Sequence, residues 1–210
     1  MSIISIKNVT KNFKKNPLLE NINLDIDKGK IYGIIGPNGS GKSVLFKMIC
    51  GFLFPDKGDI LIHGEKIGKK ERFPDNFGVI IERPGYIANK TGFQNLKELS
   101  LIRGTIEDRQ ISKTMKLVGL DPNSSQKVKN FSLGMKQKLA ICQAIMEEQQ
   151  VLILDEPFNA LDIDSVKRIR ELLLKFKDEG RTILLTSHNQ EDINICDIVY
   201  RINGYQLEQA

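Results

Sequence analysis

At 210 residues, with 40% hydrophobic and 27% charged residues and a formal net charge of +5, the chain is long enough for one well-buried core and has the composition of an ordinary globular protein. No stretch approaches the roughly 18 uninterrupted apolar residues that a spanning helix needs, so the chain is not expected to cross a bilayer by itself. The start, MSIISIKNVTKNF, lacks a charged end, apolar run and small-residue cleavage site, which predicts no secretory signal and a cytoplasmic location.

In chain order, Ile3 to Val9 and Glu20 to Ile26 alternate apolar with polar residues, as does Gly58 to Ile62. That period predicts half-exposed antiparallel strands forming a small β lobe. Ile31 to Ile35, Val151 to Leu154 and Thr182 to Thr186 are short continuous apolar runs, the pattern of buried parallel strands beneath helices. Val44 to Phe52 reads as a helix. Between about Gly92 and Met146 the helical period dominates, interrupted by a loop from Gly119 to Lys127, which predicts a helical lobe. Asn203-Gly204, between Ile198 to Ile202 and Tyr205 to Gln209, signals a two-residue hairpin turn. The fold class expected is therefore α/β, a mainly parallel sheet core with an N-terminal antiparallel β lobe and a helical lobe within a single domain of 1–210.

Cys50, Cys142 and Cys196 are scattered and odd in number, consistent with reduced, packed thiols. Lys11, Lys14 and Lys15 form one basic group and Lys66, Lys69 and Lys70 another. Neither is interleaved with aromatics that could stack on bases, so solvated faces are favoured and no nucleic-acid partner is expected.

The strongest chemical signal is Gly36-Pro37-Asn38-Gly39-Ser40-Gly41-Lys42-Ser43. It fits the GxxxxGKS pattern, follows a buried-strand candidate and opens a helix at Val44. Gly39 and Gly41 let backbone N–H groups point inward at phosphates, Lys42 reaches the β and γ phosphates, and the Ser43 hydroxyl binds Mg²⁺. The helix N-terminus adds its positive end. A second signal is the apolar strand ending in Asp155-Glu156, where open α/β sheets place ligands. Asp155 would hold Mg²⁺ through water and Glu156 would orient and polarise the attacking water; without the glycine loop, a structural turn would explain the pair equally well. His188, just after the strand ending at Thr186, is the candidate hydrogen-bonding sensor of the γ phosphate. His63 is given no function.

Phe131-Ser132-Leu133-Gly134-Met135, taken with these motifs, resembles the signature of ABC transporter ATP-binding subunits in a variant form. The resemblance runs from about Ile3 to Leu207. It implies that Ser132 and Gly134, at a helix N-terminus, bind the γ phosphate of ATP held by a second ATP-binding subunit, so that dimerisation belongs to the mechanism. It implies that Phe13 stacks on adenine, although a core phenylalanine remains an alternative. It also implies that Asn159 to Asp162 links the two sites across the dimer, a role compatible with capping the helix that begins near Asp164. Where the family has a glutamine touching Mg²⁺ and the lytic water, this chain carries Glu82, which adds negative charge beside ATP. Glu82 and the Ser-Leu-Gly-Met variant look like the branch containing bacitracin-resistance and lantibiotic-immunity exporters. Arg83 to Thr91, with Pro84, Tyr86 and Ile87, falls where the family meets its membrane permease, and a packed loop is the competing reading. The implied function is ATP hydrolysis driving transport through a separate permease. The alternative is an ABC ATPase acting on ribosomes or nucleic acid, which would normally carry two cassettes or a long coiled coil. A GTPase is disfavoured because Gly92 stands where NKxD requires its aspartate.

Overall fold

The computed structural model describes residues 2–14, 16–68, 73–82 and 85–210. Lys15, Lys69, Lys70, Arg83 and Pro84, named above in basic groups or in the permease-facing stretch, lie outside the described residues. The strands are β1 (Ser2–Phe13), β2 (Asn16–Asp27), β3 (Ile31–Ile35), β4 (Lys57–Ile62), β5 (Glu65–Lys66), β6 (Phe77–Ile80), β7 (Val151–Leu154), β8 (Thr182–Thr186), β9 (Ile198–Asn203) and β10 (Gln206–Gln209). The helices are α1 (Lys42–Ile49), α2 (Gly92–Arg103), α3 (Asp108–Leu117), α4 (Leu133–Ile145), α5 (Ile163–Asp178) and α6 (Gln190–Ile193).

Two sheets form. The four-stranded sheet has the order β2-β1-β4-β5 and the six-stranded sheet the order β10-β9-β3-β8-β7-β6. The first is antiparallel, as its alternation predicts: Ile4, Ile6 and Val9 are buried while Lys7 and Asn8 face out. β1 and β2 extend beyond the expected ranges through register shifts around Asn8. In the second sheet β9, β3, β8, β7 and β6 run parallel and β10 returns antiparallel. Every residue of β3, β7 and β8 is buried, which is why these strands read as unbroken apolar runs. Leu45, Phe46, Met48 and Ile49 of α1 share one core with β1 and β3, whereas Leu139, Ile141 and Ile145 of α4 belong to a second.

Two expectations need correction, and one strand had none. The helix expected from Val44 to Phe52 ends at Ile49, because Gly51 adopts φ 72° and its N–H and that of Phe52 cap Met48 and Lys47, the usual αL stop. Phe52 is then free to stack on Phe73, with ring centroids 5.4 Å apart. The C-terminal hairpin turns one residue later than Asn203-Gly204: Asn203 pairs with Gln206, leaving Gly204-Tyr205 as the loop. Gly204 alone takes positive φ (60°), which fits a type II′ rather than a type I′ turn. Finally, β6 lacked a sequence signal of its own. It is short and contains Gly78, where a Cβ would stand 1.8 Å from the Ala144 carbonyl oxygen. Only glycine lets α4 lie directly against this strand.

Candidate functional site

Parallel strands deliver the candidate residues to one edge. β3 ends at Ile35 and feeds the Gly36–Ser43 loop; β7 ends at Leu154, immediately before Asp155 and Glu156; β8 ends at Thr186, two residues before His188. The carboxyl ends of such strands are where open α/β sheets bind ligands. Here they enclose a cleft lined by Leu18, Asn38, Gly39, Gly41, Lys42, Ser43, Val44, Asp155 and Glu156. Gly36, Pro37 and Ser40 form the loop behind it.

Gly39 and Gly41 take φ 80° and 103°, a backbone region costly for other residues. Lys42 opens α1 with only 7% exposure. Its ammonium donates to the carbonyls of Gly36 (2.8 Å) and Pro37 (3.2 Å). A buried cation held by neutral carbonyls inside a glycine loop can exchange them for phosphate oxygens, which bind it more strongly. The Ser40 hydroxyl is buried without a partner among the described residues.

The edge that carries Asp155 and Glu156 is tightly cross-bonded. Ser43 Oγ donates to Asp155 Oδ2 at 2.5 Å. Thr186 Oγ1 donates to Asp155 Oδ1 at 2.7 Å and accepts the Glu156 N–H at 2.8 Å. Glu156 sits at φ 50°, a turn that aims its side chain back across the strand ends, where Oε2 lies 2.9 Å from His188 Nδ1. Gln137 of α4 donates to the carbonyls of Glu156 (3.2 Å) and Pro157 (3.0 Å). Thr186, Gln137 and Leu18 were missed in sequence. Thr186 reads in sequence only as a strand residue, and no local pattern singles out Gln137 or Leu18.

Phe13, Glu82, Ser132 and Gly134 are not among the residues that line this cleft. Phe13, at the end of β1, is 68% exposed, which removes the reading of a core phenylalanine. Ser132 caps α4, its hydroxyl accepting the Met135 N–H at 3.2 Å. A Cβ on Gly134 would come 2.8 Å from the Ala160 carbonyl, so the Ser-Leu-Gly segment abuts the Asn159–Asp162 loop of its own chain. Asp162 does cap α5, accepting the Ser165 N–H at 2.8 Å. Glu82, at φ 61°, pairs with Lys47 of α1 and lines a second cavity together with Tyr86, Gln137, Asp155 and Glu156. Tyr86 packs against the core and donates to the Lys136 carbonyl at 2.7 Å; burial pushes its phenol up to about 12. The packed-loop reading thus holds for Tyr86, while Ile87 is 46% exposed.

The donor set fits Mg²⁺. Among the described residues no group of three or more His, Cys, Asp or Glu could cage a metal, but Ser43 and Asp155 offer a hydroxyl and a carboxylate at one point. Mg²⁺ characteristically takes one or two protein oxygens and completes its shell with water and substrate phosphates.

The ABC transporter family model matches residues 19–159. The chain belongs to the ABC transporter family. It is an ATP-binding ATPase of that family. It is 44% identical to an uncharacterized ABC transporter ATP-binding protein of Bacillus subtilis over 99% of this chain and 96% of that one. It is 38% identical to the bacitracin transport ATP-binding protein of Enterococcus faecalis (99% and 69% covered) and 37% identical to the lantibiotic transport ATP-binding protein of Streptococcus pyogenes (94% and 85%). Among solved structures, an ATP-binding subunit of an ABC transporter superposes with a TM-score of 0.89 at 27% identity, covering 100% of this chain and 90% of that one. A dimeric cassette in a post-hydrolysis state with ADP and Pi superposes at 0.87 with 25% identity, each chain 98% covered. No helix among the described residues is long and apolar enough to cross a membrane.

Proposed function

We propose that this cassette powers export of a peptide antibiotic or related compound through a separately encoded permease, which holds it against the inner face of the membrane. The reading takes 1–210 as one cassette, with 92–146 as a helical lobe inserted in the α/β core. The observation that carries it is the meeting of Lys42, the Ser43–Asp155 pair and the Glu156–His188 pair at one strand edge, in a chain related to bacitracin and lantibiotic transport proteins.

In this reading the Gly36–Ser43 loop and the N-terminus of α1 receive the triphosphate, and Lys42 releases its carbonyls to bind the β and γ phosphates. Ser43 and Asp155 would hold Mg²⁺, with Glu82 beside them. When bound, Mg²⁺ neutralises charge on the β and γ oxygens and polarises the phosphorus. Glu156 orients a water in line with the γ phosphate and accepts its proton. His188 hydrogen-bonds the γ phosphate and, through its contact with Glu156, ties phosphate sensing to water activation. Phe13, exposed on β1, provides a face for adenine. Ser132 and Gly134 do not line their own chain's phosphate cleft, which supports a role toward the nucleotide of a second subunit; two copies, or this chain with a sister ATPase, would close around two nucleotides and reopen on hydrolysis. The test is to express the chain together with its permease in a sensitive host and measure survival in bacitracin and in lantibiotics. Protection by the wild type and loss with Glu156→Gln is expected; equal protection by both variants contradicts the reading.

A further inference from the structure

The loops that follow β7 and β8 are joined a second time by a side chain belonging to neither. Arg170 of α5 donates through Nη2 to Asp192 Oδ1 at 2.6 Å. Asp192, on α6, has a side chain only 7% exposed, and its Oδ2 accepts the hydroxyl of Ser187 at 2.8 Å. Ser187 directly precedes His188, and its Oγ accepts the N–H of Asn189, directly after it, at 3.0 Å. The Ser187 hydroxyl thus joins both chain neighbours of His188 and is itself anchored on the Asp192 carboxylate. The Arg170 guanidinium also lies 5.8 Å from the ring centroid of Phe158, two residues beyond Glu156. Glu156, Phe158, Arg170, His188 and Asp192 line one cavity.

A carboxylate as buried as Asp192 requires its counter-charge, and removing one partner of such a pair is strongly destabilising. An apolar pair could fasten α6 to α5 equally well. A guanidinium adds direction, because its plane stacks on an aromatic while its edge fixes a carboxylate. We propose that Arg170 is a positioning residue that sets His188 against Glu156, holding the β8 loop through Asp192 and Ser187 and the β7 loop through Phe158. This rests on reading Glu156 and His188 as the hydrolytic pair.

The chain has only two histidines, His63 and His188, so their imidazole signals can be followed separately by NMR in the nucleotide-free protein. Arg170→Gln is expected to move the His188 signal and leave that of His63 in place. Its kcat for ATP should fall about ten- to a hundredfold, the scale of an ångström-sized misplacement. KM should stay within about threefold, since Lys42 and Ser43 are untouched. Arg170→Lys, which restores charge beside Asp192 without the planar fork, should recover part of kcat. An unmoved His188 signal in Arg170→Gln, or a rise in KM with kcat intact, overturns the inference. Should Arg170→Gln fail to fold, Arg170→Lys decides: a shifted His188 signal with reduced kcat supports positioning, and wild-type values for both overturn it. Wild-type turnover in His188→Ala would instead remove the hydrolytic role of His188, and the ring signal would still decide whether Arg170 places it.

Discussion

Thr186→Val removes one hydroxyl from the centre of the site while keeping the shape of a buried strand residue. Two bonds go with it: the charge-assisted donation to Asp155 and the acceptance of the Glu156 N–H. Thr186 is fully buried, so water cannot readily replace either. A bond to a charged group contributes about 1.5–3 kcal/mol and an orphaned buried N–H costs about 1–3 kcal/mol. The sum, on the order of 3–6 kcal/mol, corresponds to a fall in Tm of roughly 6–24 °C for a chain of this size. Among the described residues, the companion variant Thr182→Val, at the other end of β8, loses only the acceptance of the Gly29 N–H and should cost about 1–2 kcal/mol. Function should separate the two more sharply than stability. Thr186→Val frees Asp155 to swing from Ser43 and should raise the Mg²⁺ concentration for half-maximal ATPase activity severalfold, while Thr182→Val leaves it unchanged. Thermal unfolding and Mg²⁺ titration of turnover are the assays. Equal Tm values and equal Mg²⁺ dependence in the two variants would refute the reasoning.

Glu82→Gln should leave ATP affinity within about twofold and, because the pair with Lys47 is partly exposed and worth less than about 1 kcal/mol, change stability little. Its Mg²⁺ half-saturation should shift, and identical Mg²⁺ dependence and turnover would remove Glu82 from the metal's surroundings. Asp197 bonds the Ile31 N–H at 2.8 Å and pairs with Lys177. Burial alone would raise its carboxyl, but these partners outweigh burial and hold it below the usual value. A depressed folded value means stability that is fully present above about pH 4 and lost as pH falls through it. The stability difference between wild type and Asp197→Asn, about 1 kcal/mol at pH 7 after allowing for solvent exposure, should therefore shrink below pH 4 in urea melts, and a constant difference would contradict this. Burial pushes the Cys50 and Cys196 thiols up to about 12 and raises Cys142 as well. Labelling by a thiolate-selective reagent at pH 8 should be on the order of a thousandfold slower in the folded protein than in denaturant; rapid native labelling of any one thiol would show otherwise.

Much of the site was legible because its determinants are local. The glycine loop, the Asp155-Glu156 pair and the Thr-Ser-His segment each carry chemistry within a few consecutive residues, and each lies at the end of a fully buried strand whose mostly apolar sequence is hard to misread. What escaped depends on contacts between distant segments. Gly78 looks like a strand breaker until Ala144 of α4 is seen to rest on it. Thr186 differs from its apolar neighbours only in a hydroxyl whose importance comes from Asp155 and Glu156, far away in sequence. Arg170 sits on an amphipathic helix among other cations, and only the fold singles it out by bringing Asp192 beneath it. The hairpin shift has a local cause: Asn203-Gly204 satisfies a type I′ pattern, but the ladder places Gly204 first in the loop, where a type II′ turn needs only one positive φ.

The most direct test is nucleotide binding and steady-state hydrolysis by Glu156→Gln, an exchange that keeps side-chain size and removes the base. Wild-type affinity for ATP with turnover reduced about 10²- to 10⁴-fold is the expected result. A variant that binds ATP and turns it over at the wild-type rate would contradict the assignment of Glu156 as the residue that activates water.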